Sequence, residues 1–138
     1  MFYRIKLTPD TNNTFLATCY NIPEFTGVVT SVESLRDECL AGLLLAISIY
    51  MDADKEVPIT PINVFHDTDA CVLELPVEAA SKIILHNACI AKGINRPCLA
   101  KLLNKRIKQI NDLFDFDKSF NDKVYKSAQM VLRMVGYQ

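Results

Sequence analysis

Along residues 2–8 (FYRIKLT) bulky and polar side chains alternate, the two-residue period of a strand with one buried face. Pro9 and Asp10 stop the run, Asn12 and Asn13 follow, and TFLATCY (14–20) resumes the alternation, which predicts a β-hairpin. Asn21, Pro23 and Gly27 punctuate the next stretch, and a short third strand is expected near Thr26–Thr30. From Val32 the period changes. Val32, Leu35, Cys39, Leu43, Ile47 and Tyr50 or Met51 recur every three to four residues, the stripe of an amphipathic helix ending near Asp52–Asp54. Thr30 and Glu33 stand at capping-box spacing before it, with Ser31 as a second cap candidate. Residues 55–63, with Pro58 and Pro61, read as an extended connector, and DACVLEL (69–75) as a closing strand. The order β-β-β-α-β predicts a small α+β domain over residues 1–75.

After Pro76 only helical periods remain. Val77–Lys92 carries a wide apolar stripe through Ala80, Ile83, Ile84, Ala88 and Ala91, and Gly93 sits where a helix C-terminus wants a left-handed residue. Asn95 is an N-cap candidate with Pro97 in the first turn, and Leu99, Ala100, Leu102 and Leu103 give a short second helix. A tight turn at 104–106 leads to a third stripe, Ile107, Ile110, Leu113 and Phe114. A last helix is expected from a Ser119-x-x-Asp122 cap through Val124, Ala128, Val131, Leu132 and Val135. Residues 76–138 are thus expected to form an all-α domain.

The second and third of these helices have helix-turn-helix spacing. Two short helices crossing steeply need a small residue at their approach, a residue tolerant of positive φ at the turn, and a branched apolar residue locking the second helix. Ala100, Asn104 and Ile110 supply these at relative positions 0, +4 and +10. On that reading Arg106–Phe114 is a recognition helix, with Arg106, Ile107, Lys108 and Asn111 near its exposed N-terminal face. Arg96 and Lys105 would meet phosphates, and Gln109 and Asn111 are equipped to read base edges. A plain helix bundle with solubilising lysines produces the same stripes. CVLELP followed by two helices that part at residues 92–95 also has the outline of a ribbon-helix-helix unit.

Charge sharpens the division. Residues 1–76 carry four basic and eleven acidic side chains, net −7, and residues 77–138 carry eleven and five, net +6. Two modules with different partners account for this split, an acidic one for a basic protein and a basic one for nucleic acid; a single dipolar domain is the plainer alternative. With 138 residues, half of them hydrophobic, the chain is ordinary globular material and buries roughly 70% of its unfolded surface. The apolar run 43–49 is far short of the ~20 residues of a membrane span. MFYRIKL lacks the apolar core of a signal peptide, so a cytoplasmic, membrane-free protein is expected.

Five cysteines at spacings of 20, 32, 18 and 9 residues form no CxxC pair and read as reduced packing thiols, Cys98 being the one to watch for oxidation. No metal site and no cofactor are expected. A two-metal nuclease needs a carboxylate on its first strand, and residues 2–8 have none. Residues 66–69 (HDTD) read as a polar loop, and GxGxxG, Walker A, GxSxG and HExxH are all missing, so no catalytic residues are assigned.

Taken in order, the motifs resemble the HicB-type antitoxins. The likeness rests on YNIPE (20–24), TGVVTS (26–31), VESLRD (32–37), the exit VPITP (57–61), LPVEAASK (75–82) and LAKLLNKRIKQI (99–110). The chain departs from that pattern in lacking the glycine usually found before the residue that opens the first helix. The resemblance implies a partial ribonuclease H-like N-terminal domain without nuclease carboxylates, binding a basic HicA-type toxin that cleaves mRNA. It also implies a C-terminal helix-turn-helix domain that forms a homodimer or higher oligomer, binds operator DNA and represses its own operon. A stand-alone helix-turn-helix or ribbon-helix-helix repressor with a ligand-sensing N-terminal domain is the alternative.

Overall fold

The computed structural model describes residues 1–59 and 70–135; Pro61 and the loop 66–69 lie outside them. The chain is mixed α+β, an antiparallel sheet followed by helices. β1 (Phe2–Pro9), β2 (Phe15–Cys19), β3 (Thr26–Val29) and β4 (Ala70–Glu74) form one sheet in the order β3-β2-β1-β4, with α1 (Leu35–Asp52) between the third and fourth strands. The expected hairpin is present: Asp10 N–H donates to Thr14 O at 2.8 Å, and Asn13 takes φ 58° in the turn. Its register pairs Ile5 with Cys19 and Leu7 with Ala17, so the period of two turns one set of side chains inward. Tyr3, Ile5, Ala17, Cys19, Val29 and Leu73 are buried on that face, together with Leu35, Cys39, Leu43 and Ile47 of α1. Gly27 makes the close approach possible, since a Cβ there would meet Cys39 Sγ at 3.3 Å and the Phe25 ring at 3.2 Å.

α1 begins three residues later than its stripe predicts, and with a different acid. Glu38, not Glu33, closes the N-terminus. Thr30 Oγ1 donates to Glu38 Oε1 at 2.7 Å, Thr30 N–H to Oε2 at 2.8 Å, and Ser34 N–H to Ser31 Oγ at 3.2 Å. These bonds satisfy donors that residues 30–34 would otherwise leave to water, so Val32 and Glu33 form a turn before the helix. Hydrogen bonding from Thr30 holds the Glu38 carboxyl below its ordinary 4.5.

The chain divides into two compact units, one of Met1–Ile49 with Pro58–Val77, the other of Tyr50–Val57 with Glu78–Gln138. In the second, α2 (Val77–Ala91), α3 (Arg96–Leu103), α4 (Ile107–Leu113) and α5 (Asp122–Val135) surround Ile83, Leu85, Leu99, Ile110, Leu113 and Leu132. Gly93 ends α2 at φ 67°, with Ile94 N–H reaching Cys89 O at 2.9 Å, the αL closure its position predicts. Residues 50–57 are bound into this unit by two polar clips. His86 Nε2 lies 2.7 Å from Lys55 O, and the Asn87 amide both accepts from Val57 N–H at 2.8 Å and donates to Val57 O at 3.0 Å. α5 starts at Asp122 with Asn121 as its cap, accepting from Val124 N–H at 3.2 Å, in place of the expected Ser119. Asn121 wins because it stands immediately before the first helical residue.

Candidate nucleic-acid interface

α3 and α4 are built by local signals. Asn95 Oδ1 accepts from Cys98 N–H at 2.9 Å, and Pro97 occupies the first turn, where no donor is needed. Leu99 and Ala100 face inward. The helix closes on Asn104, at φ 54° and ψ 47°, with Asn104 N–H on Lys101 O at 3.2 Å and Lys105 N–H on Ala100 O at 3.0 Å. Asn tolerates this left-handed turn better than any branched residue. Arg106 is extended, and Gln109 Oε1 accepts its N–H at 3.2 Å, which starts α4. Ile110, wholly buried, fixes α4 against the core while Ala100, 6% exposed, permits the approach of α3.

Six of the seven residues singled out from sequence, Lys105, Arg106, Ile107, Lys108, Gln109 and Asn111, are exposed in the turn and on α4. Lys101 is exposed as well. Residues 97–113 hold four exposed cations, Lys101, Lys105, Arg106 and Lys108, and one carboxylate, Asp112. Such a surface attracts polyanions. Gln109 and Asn111 each commit the amide oxygen inside the protein, to Arg106 N–H and to Arg96, and these bonds leave their NH₂ groups for outside acceptors.

Arg96 does something the sequence did not reveal. Its guanidinium lies over the Phe114 ring at 5.1 Å, donates to Asn111 Oδ1 at 3.3 Å and pairs with Asp52 at 3.5 Å. The side chain is 22% exposed. It is a brace joining the end of α1 to both ends of the α3–α4 pair. Lys82 is a second hidden brace, 2% exposed, its ammonium donating to Asp115 O and to Lys118 O, the latter at 2.9 Å. It thereby anchors the loop after α4, and burial lowers its pKa below 10.5. Partners so distant in sequence have no spacing rule that would disclose them.

β1 carries Arg4 and Lys6 as its only charged side chains. Among the described residues no group of three or more His, Cys, Asp or Glu side chains is gathered to hold a metal, and no helix is long and apolar enough to cross a membrane. The thiols of Cys19, Cys39 and Cys89 are buried and held protonated, Cys89 pushed up to about 11, whereas Cys98 is exposed.

Residues 2–84 match the family described as HicB-like antitoxin of bacterial toxin–antitoxin system, a stretch that takes in the whole sheet, α1 and half of α2. The chain is 28% identical over 116 residues to the antitoxin HicB of Escherichia coli strain K12, covering 83% of this chain and 81% of that protein. It is 28% identical over 114 residues to the antitoxin HicB of Pseudomonas fluorescens strain Pf0-1, covering 83% and 76%.

Proposed function

Since the chain belongs to the HicB-like antitoxin family, we propose that it binds and neutralises a HicA-type toxin that cleaves mRNA and represses its own operon through α3 and α4. The reading assigns residues 1–75 to the toxin as a partial ribonuclease H-like domain and residues 76–138 to operator DNA and self-association. The protein acts in the cytoplasm by binding, without catalysis. The family match over residues 2–84 carries the antitoxin half. For the DNA half the support is the α3–turn–α4 geometry: buried Ala100, left-handed Asn104, buried Ile110, and an exposed α4 face with Lys105, Arg106 and Lys108 beside it. A ribbon-helix-helix reading loses ground because β4, its required free strand, is already paired to β1 from Phe2–Glu74 to Lys6–Ala70.

Complementary charge suits both encounters, with DNA affinity falling steeply as salt rises. Co-expression with the small toxin of the same operon should rescue growth, and capture should recover the pair. The Lys108→Ala, Gln109→Ala double variant should weaken operator binding roughly 10- to 100-fold in fluorescence anisotropy while leaving toxin capture intact. A parallel loss of both would mean that the two activities are not divided between the two parts of the chain.

A further inference from the structure

α1 is apolar on two sides. Leu35, Cys39, Leu43 and Ile47 are buried toward the sheet, yet the outer side carries Ala41, Leu45 and Ile49, all exposed, Leu45 by 68% and Ile49 by 54%. Spaced four apart, these three stand one above another along about 12 Å of helix. A surface helix ordinarily presents polar residues there, and a helix apolar all round is one built to be covered. Exposed Glu33, Asp37 and Glu38, with one cation, Arg36, among them, frame the N-terminal end of this ridge and leave it net negative.

The other open face of the same unit, the outer side of the sheet, is mixed in charge. Strand alternation turns Arg4 and Lys6 outward on the sheet, with the carboxylate of Glu74 on the same face and Arg4 stacked on Tyr20 at 4.5 Å, beside Leu16, Val28 and Val72. An enzyme that holds RNA must present lysines and arginines to the phosphates. The sheet face, with Arg4 and Lys6 against Glu74, is net positive and repels such a surface; the α1 end, with Glu33, Asp37 and Glu38 against Arg36, is net negative and attracts it. We infer that the outer ridge of α1, centred on Leu45 and Ile49 and framed by these carboxylates, is the docking surface for the toxin. The partner is therefore a basic protein with an apolar patch ringed by cations. This rests on the antitoxin reading above and names the surface that performs it.

The test uses the full chain and the toxin of its own operon, made catalytically inactive. Leu45→Lys with Ile49→Lys should weaken toxin binding by roughly 30-fold or more in titration calorimetry, while Leu16→Lys with Val28→Lys on the sheet leaves it within about threefold of wild type. Operator binding serves as the fold control. Asp37→Asn should slow association and flatten its salt dependence. A photo-crosslinker in place of Leu45 should trap the toxin, and one in place of Val28 should not, an outcome that does not depend on the stability of the lysine variants. Trapping a second copy of this chain from position 45, trapping the toxin from position 28 alone, or wild-type affinity in the α1 double variant would each overturn the surface and leave the antitoxin reading standing. If the wild-type chain captures no toxin, both fall.

Discussion

Arg96, expected from sequence at a phosphate, is engaged by groups of the chain itself. Its stacking on Phe114 and its bonds to Asn111 and Asp52 use the flat face and the fork of the guanidinium, neither of which an ammonium reproduces. Arg96→Lys should therefore lower stability by about 1 kcal/mol in urea unfolding and leave the salt dependence of operator binding unchanged. Lys105→Ala should do the reverse, keeping stability and reducing the salt slope by roughly one. An Arg96→Lys variant with full stability and a reduced slope would restore Arg96 to the phosphate contacts. Asn95, Gly93 and Asn104 were legible because each acts within a few residues of itself. Arg96 and Lys82 were not, because a lysine whose acceptors are carbonyls of residues 115 and 118 leaves no trace in side-chain pattern.

At the scale of elements, type and order were readable and boundaries less so. The period of two gave the strands and the period near 3.6 gave the helices, since both reflect burial of one face. The start of α1 was misplaced because Thr30, Ser31, Glu33, Ser34 and Glu38 offer several caps, and only three-dimensional geometry selects Glu38. That choice has a pH signature. A carboxyl whose folded pKa lies below its unfolded 4.5 contributes stability above that pH and loses it as pH falls through the folded value. Thermal unfolding of the wild type should thus fall more steeply below pH 4.5 than that of Glu38→Gln, and the two curves should run parallel from pH 5 to 7. Equal acid limbs would show that Glu38 contributes nothing through its charge.

For the molecule as a whole, charge composition suggested two differently charged parts, while the linear sequence concealed that Tyr50–Val57 groups with the helices. Tyr50–Val57 precedes β4 yet belongs with the helices, where Met51 and Val57 are 1% and 0% exposed and Lys55 meets His86. Polar clips such as Asn87 on Val57 have no periodicity, which is why a connector was expected there. A fragment of residues 76–138 lacks these pieces. It should be less stable than a fragment of residues 50–138 by about 4 kcal/mol in urea unfolding, from two lost apolar side chains at roughly 2 kcal/mol each. Equal midpoints would mean that the segment is a passive tether.

The borrowed segment ties the interior of the helices to residues that precede β4 in the chain. Proteolysis that consumes the chain from its N-terminus as far as residue 57 removes Met51 and Val57 from the helical core, so the remaining helices lose a wall of their own interior. On the proposed function, the toxin-facing half and the operator-facing half then share a single lifetime. A cell that degrades the one is not left with a durable repressor remnant, and release of the toxin and reopening of the operon follow from the same cut.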